Sequence, residues 1–175
     1  MVMSENNCET CKLYLKCNGP VPSVGPLDAK IVIVAESPGG DEDVQGVPLV
    51  GDTGRLFNYM TRRVGLKRES LYLTNAVKCF PNKTKLTVKH PQYCKPQLVE
   101  ELSLLKHKEL IVAFGNTATQ ALLGRSNISE TNGYFWDYEG TPVLSLIHPS
   151  SVLRNLFQLD NQILHLMKVH QVVKV

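Results

Sequence analysis

The sequence predicts an α/β fold in which a parallel sheet is covered by helices on both faces. Four short, β-branched and nearly all-apolar runs carry this prediction: "KIVIVAE", "LYLTNAV" from Leu71, "LIVAFG" from Leu110 and "VLSLIH" from Val143. A strand that is apolar at every position has no face to give to water, so both of its faces are buried. Between these runs lie segments with helical periodicity, and strands alternating with helices imply parallel βαβ units. The chain has 175 residues, of which 43% are hydrophobic and 20% charged, an ordinary globular composition for one domain with a substantial core. The expected organisation is one domain over 1–175, with an N-terminal cysteine-bearing arm over about 1–27 that ends in the turn-rich "NGPVPSVGPLDAK".

Taken in order, the first strand is followed by "AESPGGDEDVQG" and then by "GRLFNYMTRRVG", which places Leu56, Phe57, Met60 and Val64 on one helical stripe. The second strand closes in "TNAVKCF" and leads to "QLVEELSLLK", whose stripe is Leu98, Val99, Leu102 and Leu105. "GNTA" follows the third strand, and a short helix is expected from Asn116 to Leu123 with Gly124 closing it. The fourth strand runs into "HPSSVLRN", and a last helix is expected from about Ser151 nearly to the end, behind Pro149 and a Ser150 cap. Ligands in such sheets sit beyond the carboxyl ends of the strands, where all four of these polar segments fall.

Composition narrows the function classes. No basic segment followed by an apolar stretch opens the chain, and no run reaches the length of a membrane span. The expectation is a soluble, cytoplasmic or nucleoid-associated protein, acting as a monomer. A formal charge of +3 decides little, but Lys78, Lys83, Lys85, Lys89, His90 and Lys95 form one basic stretch, and Arg62, Arg63, Lys67 and Arg68 another. Each is either a solvated face or part of a phosphate-binding surface.

Five cysteines in a reducing compartment argue against a disulfide framework and towards metal binding or catalysis. Cys8 and Cys11 are spaced C-x2-C, and Cys79 and Cys94 form a second, wider pair. Together they suit a four-thiolate site for zinc or an iron–sulfur cluster, and ligand identity alone does not choose between these. Cys17 is either a spare thiol or a substitute ligand. In the strand-end segments, Glu36, Asp41, Glu42, Asp43, Asn75 and His148 offer carboxylates near an amide and an imidazole. That set suits a reaction generating positive charge on a sugar and negative charge on a departing base, such as cleavage of an N-glycosidic bond.

In "AESPGGDEDVQGVPLVGDTGRL", "LYLTNAVKC", the following Cys94, "IVAFGNTATQALLG", "NGYFWDY" and "IHPSSVLRN", taken in this order, the chain resembles the iron–sulfur uracil-DNA glycosylases, the fourth family of their superfamily. The resemblance covers nearly the whole length. It implies a three-layer α/β/α arrangement with a central four-stranded parallel sheet, and a [4Fe-4S] cluster of structural role held by Cys8, Cys11, Cys79 and Cys94. It further implies Glu36 and Glu42 as the residues that orient water and stabilise an oxocarbenium-like sugar, without deciding which orients the water. Asn75 reads the uracil edge, with Gly39 and Leu49 in the base pocket, and His148 donates to the oxygen of the leaving base. Ser150 grips a phosphate, Leu153 and Arg154 enter or flank the space left by the extruded nucleotide, and Lys83 and Lys85 contact the DNA backbone. Two positions depart from the family pattern: Leu49 stands where an aromatic usually stacks on uracil, and Ala35 where glycine is usual.

The function expected is therefore a monofunctional glycosylase that releases uracil from DNA and leaves an abasic site, starting base excision repair. A glycosylase for another damaged or modified pyrimidine, and a non-catalytic DNA-binding module of the same fold, are the alternatives.

Overall fold

The computed structural model describes residues 8–174, so the first seven residues of the arm lie outside the described residues. Five strands, β1 (Ile31–Ala35), β2 (Leu71–Asn75), β3 (Leu110–Phe114), β4 (Phe135–Tyr138) and β5 (Thr141–Leu146), form one sheet in the order β2-β1-β3-β5-β4. β1, β2, β3 and β5 are mutually parallel, as expected from the four apolar runs. β4 is an addition to the expected four: it pairs antiparallel with β5 at the sheet edge. Its turn, Glu139-Gly140, has positive φ at both residues (50° and 81°), as the tightest hairpins require. The "FWDY" strand carries its own polar residue and is only half buried, so it lacks the continuous apolar signature of its neighbours.

Alternate residues of the strands feed two cores. Ile31, Ile33, Leu71, Leu73, Val112 and Phe114 face α2 (Asp52–Arg63), α6 (Pro149–Arg154) and α7 (Leu159–Leu166), while the single turn α5 (Ile128–Thr131) leads into β4. Val32, Val34, Tyr72, Ile111 and Ala113 face α3 (Lys89–Leu104) and α4 (Asn116–Leu123). The result is a three-layer α/β/α arrangement. Leu56, Phe57 and Met60 of α2 are buried as their stripe predicts, and Phe57 meets Phe114 edge to face with centroids 6.0 Å apart. Such fully buried side chains contribute roughly 1.5–3 kcal/mol each.

Three expectations need correction. α3 starts at Lys89, passes through Pro96, and buries Leu98, Glu101 and Leu102, while Val99 is exposed. Glu101 is drawn inside because it pairs with Lys78, which is 1% exposed: Lys78 Nζ lies 2.6 Å from Glu101 Oε2 and 2.6 Å from Thr74 Oγ1. Lys78 therefore leaves the basic surface stretch altogether. The C-terminal helix, thirdly, is not continuous. α6 ends at Arg154, Asn155 adopts φ −146° and ψ 83°, and short 3-10 turns flank α7. Its cap is His148 rather than Ser150: Nδ1 of His148 accepts the Ser150 N–H at 3.2 Å, with Pro149 at the first helical position.

The arm runs along the free edge of β2. Val21 N–H donates to Lys78 O, and Val24 exchanges both backbone hydrogen bonds with Leu73, covering an edge that would otherwise be open. Among the described residues no helix is long and apolar enough to cross a membrane.

Candidate active site

The carboxyl ends of β1, β2 and β5 open onto a cavity of about 200 Å³. It is lined by Glu36, Ser37, Pro38, Gly39, Glu42, Leu49, Thr53, Asn75, His148 and Ser150. Register explains the convergence of two of these: Ala35 of β1 pairs with Asn75 of β2, so Glu36 and Asn75 emerge side by side. Ala35 itself sits in a regular strand and needs no glycine conformation.

Two buried donors in this cavity have no partner. Asn75 Nδ2 and His148 Nε2 are shielded from solvent and make no hydrogen bond. The state of the imidazole follows from its other nitrogen. Because Nδ1 accepts from Ser150 N and lies 2.8 Å from Ser150 Oγ, the neutral ring carries its proton on Nε2. Burial pushes the His148 pKa below its ordinary 6.5, Glu36 opposes the shift, Arg154 adds to it and Glu42 opposes it. The ring is thus held as a neutral donor among the residues that line the cavity. A polar network supports the chain just before it: Asn132 Oδ1 accepts Ile147 N–H at 3.0 Å and Gln162 Nε2 at 3.2 Å.

The two carboxylates differ in their engagement. Glu42 is buried in α1 (Gly40–Gln45) and accepts three backbone N–H groups, from Gly39 on Oε2 and from Val50 and Gly51 on Oε1. Glu36 accepts one, from Thr117 at 3.0 Å on Oε1, and is wedged against Gly115, where an added Cβ would lie 2.6 Å from its carboxyl carbon. Its Oε2 accepts no hydrogen bond among the described residues. Leu49 is buried with φ 54°, a left-handed conformation that costs a non-glycine residue roughly 1–2 kcal/mol.

A cluster of thiols in apolar surroundings lies along the arm. Cys11 and Cys79 are buried together with Leu13 and Val77, and Cys17, Cys94, Leu86, Tyr14 and Tyr93 pack around them. Burial pushes the Cys79 thiol up, followed by a hydrogen bond and charge from Cys17 and by charge from Cys94 and Cys11. Cys8 and Cys94 are also pushed up, first by burial, with Cys11 among the neighbours of each. All five thiols therefore share one neighbourhood, Cys17 included. No three His, Cys, Asp or Glu side chains among the described residues are grouped tightly enough for one metal ion.

A family model for the uracil DNA glycosylase superfamily matches residues 22–168, spanning both the cavity and the whole sheet. The chain belongs to the uracil-DNA glycosylase superfamily. Its similar proteins include the type-4 uracil-DNA glycosylase of Archaeoglobus fulgidus, 35% identical over 84% of this chain and 78% of the relative. The enzyme of that type from Thermotoga maritima is 35% identical over 85% and 79%, and that from Pyrobaculum aerophilum 33% identical over 85% and 80%.

Within this superfamily member the structure brings together Glu36, Gly39, Glu42, Leu49, Asn75, His148 and Ser150, seven of the positions expected from the sequence. Gly39 turns its N–H to Glu42 and not into the cavity. Leu153 and Arg154 lie outside the cavity and exposed, at the far end of α6, where Arg154 donates to Ser151 Oγ at 2.9 Å. Lys83 and Lys85 are exposed on the loop before α3, beside Leu86 of the thiol cluster. Sequence reasoning missed Thr53 in the lining, Thr117 on Glu36, and the apolar tip beyond Arg154, where Leu156 is exposed and Phe157 fully so. Arg68 also leaves the expected basic surface, donating inward to Pro48 O, Leu49 O and Asn58 Oδ1. An adjacent pair of bulky apolar residues in a polar loop was the one signal available for the tip.

Proposed function

We propose that this chain hydrolyses the N-glycosidic bond of uracil in DNA, releasing the free base and leaving an abasic site. The observation that carries the reading is the pair of unpartnered donors, Asn75 Nδ2 and His148 Nε2, buried in one cavity at the strand ends. Buried donors without partners are costly, and a ligand offering two acceptors removes that cost. The uracil edge presents an acceptor, a donor and an acceptor. The Asn75 amide matches the O4 and N3–H side, since it both donates and accepts.

Bond breaking moves the glycosidic electron pair onto the departing base, where negative charge gathers on O2. His148 Nε2–H donates to that oxygen, an interaction that strengthens as the charge develops and so lowers the barrier. Its neutral state is suited to this role, because the ring keeps its proton and stabilises an anionic leaving group by hydrogen bonding. The sugar acquires positive charge, and water completes the reaction by bonding to C1′, giving up a proton that ends on N1 of the departing uracil anion. Glu36, with a free Oε2, orients that water, while Glu42, already holding three amides, fixes the 39–51 segment and adds negative charge below the sugar. Strand cleavage is not part of this proposal.

The glycosidic bond is out of reach within a base stack, so the nucleotide must be extruded. Ser150 then turns its hydroxyl from His148 Nδ1 to a phosphate at the rim while its N–H keeps hold of that nitrogen, Leu153 and Arg154 occupy or flank the vacated space, and Lys83 and Lys85 track the backbone. The protein acts as a monomer in the compartment that holds the DNA. Leu49 offers apolar area without a flat π face, which favours as a second reading a wider range of pyrimidine substrates.

Cys8, Cys11, Cys79 and Cys94 would hold a [4Fe-4S] cluster. The donor set fits it: thiols alone, in an apolar shell, drawn from the arm and from both ends of the 79–94 segment. When bound it supplies a cross-link between the arm and the sheet, and no step of the hydrolysis. Anaerobically purified protein should be brown and should convert a single-uracil oligonucleotide into an alkali-labile abasic product. Protein with its full iron content that released no base would reduce the reading to a DNA-binding module.

A further inference from the structure

The wall of the cavity formed by Leu49 is held from behind. Arg68 follows α2 and lies outside the cavity lining, yet one of its nitrogens donates to Leu49 O at 2.9 Å and to Asn58 Oδ1 at 3.0 Å, and the other to Pro48 O at 2.7 Å. The guanidinium packs over the Phe57 ring at 5.8 Å. On the opposite side of the same segment, Glu42 takes the amides of Val50 and Gly51. A cation thus holds the carbonyls and an anion the amides of one short stretch. Gly54 closes it from α2, since any Cβ there would collide with Leu49 O.

We infer that Arg68 is a positioning residue that fixes Leu49 in its left-handed conformation and thereby sets the shape of the base pocket. Two adjacent carbonyls and an amide oxygen call for a planar fork of donors, which arginine has and lysine lacks. Behind the segment lies a hollow of about 340 Å³, lined by Val24, Val47, Glu69 and Leu71 as well as by Arg68. Without the fork, Leu49 has both a reason to leave its strained conformation and room to move. The base then loses the apolar surface that packs against it.

This inference rests on the reading that the cavity takes the base, and two measurements separate the two ideas. Hydrogen exchange at the Val50 and Gly51 amides tests the clamp itself, whatever the protein does. Inhibition of single-turnover excision by free uracil tests its effect on the base pocket. In Arg68→Met, both amides should exchange at least about tenfold faster, and the uracil inhibition constant should rise about tenfold, the loss expected for charge-assisted bonds of this kind. The excision rate at saturating enzyme should fall less than the inhibition constant rises, and Arg68→Lys should recover part of the loss. In a Leu49→Gly background, where glycine accepts positive φ freely, Arg68→Met should add little. A merely destabilising change would lower the melting temperature and leave the inhibition constant of the folded protein intact. Unchanged exchange, or an unchanged inhibition constant in Arg68→Met, overturns the inference. Wild-type protein that neither releases nor binds uracil overturns the base-pocket reading instead, and the exchange result still decides the clamp.

Discussion

Glu36 and Glu42 are close in sequence and both carboxylates line the cavity, yet their hydrogen bonds give them different work. Glu42→Gln replaces an acceptor of three amides with a group that is half donor, so it should cost about 1–3 kcal/mol of stability, read by urea unfolding. Glu36→Gln leaves the fold nearly as stable and should slow base release strongly, read by single-turnover kinetics. Equal stability losses in the two variants would contradict the division of roles. His148 gives a pH signature. Its folded pKa lies below the ordinary 6.5, so on acidification the unfolded chain takes up a proton that the folded one refuses. Stability from this source is complete above about pH 6.5 and is lost as the pH falls below it. His165, also lowered, by burial and then by Lys168, acts in the same direction. The urea midpoint should therefore drop between about pH 7.5 and 5.5, and drop less in His148→Gln. These residues were legible as a set, because polar residues after apolar strands stand out. Their division of labour was not, since nothing in "AESPGGDEDVQG" tells which carboxylate is saturated by the backbone of residues 50 and 51.

At the level of elements, the four parallel strands were legible because each is apolar throughout, and α2 because its stripe is clean. β4 was hidden by its half-exposed, mixed sequence, and only the Glu139-Gly140 turn between β-prone residues marked it. The break after α6 was hidden because Asn155 is unremarkable in sequence. Lys78 read as a surface charge within a basic run, and its inward course depends on Glu101 arriving from another helix. That ion pair ties β2, one residue before Asn75, to α3 through Thr74 Oγ1. Burial lowers the Lys78 pKa, with Glu101 opposing, so the pair matters most when both partners are present. Lys78→Met should cost about 3–5 kcal/mol by leaving the Glu101 charge buried without a counter-charge, and Lys78→Met with Glu101→Leu should restore much of it. Thermal unfolding of the single and double variants checks this. A single variant as stable as wild type would show that the pair is solvated and not buried.

For the molecule as a whole, the arm and the sheet meet at the thiols, and the cavity lies at the carboxyl ends of the strands. The C-x2-C spacing in a polar arm was legible as half of a ligand set, whereas the approach of Cys17 to Cys79 is a product of folding. Cys79→Ala should lose bound iron and lower the melting temperature together, whereas Cys17→Ala should keep its iron, as measured by iron analysis and calorimetry. Loss of iron from Cys17→Ala alone would move that thiol into the ligand set. The account depends most on Asn75 and His148 as the two donors that hold and release the base. The measurement that tests it most directly is the single-turnover rate of uracil release by wild type, Asn75→Ala and His148→Ala, each with confirmed iron content and melting temperature. The account predicts that each variant is slowed by orders of magnitude, about 10²–10³ for loss of a transition-state donor, while remaining folded. Either variant cutting at the wild-type rate would contradict it.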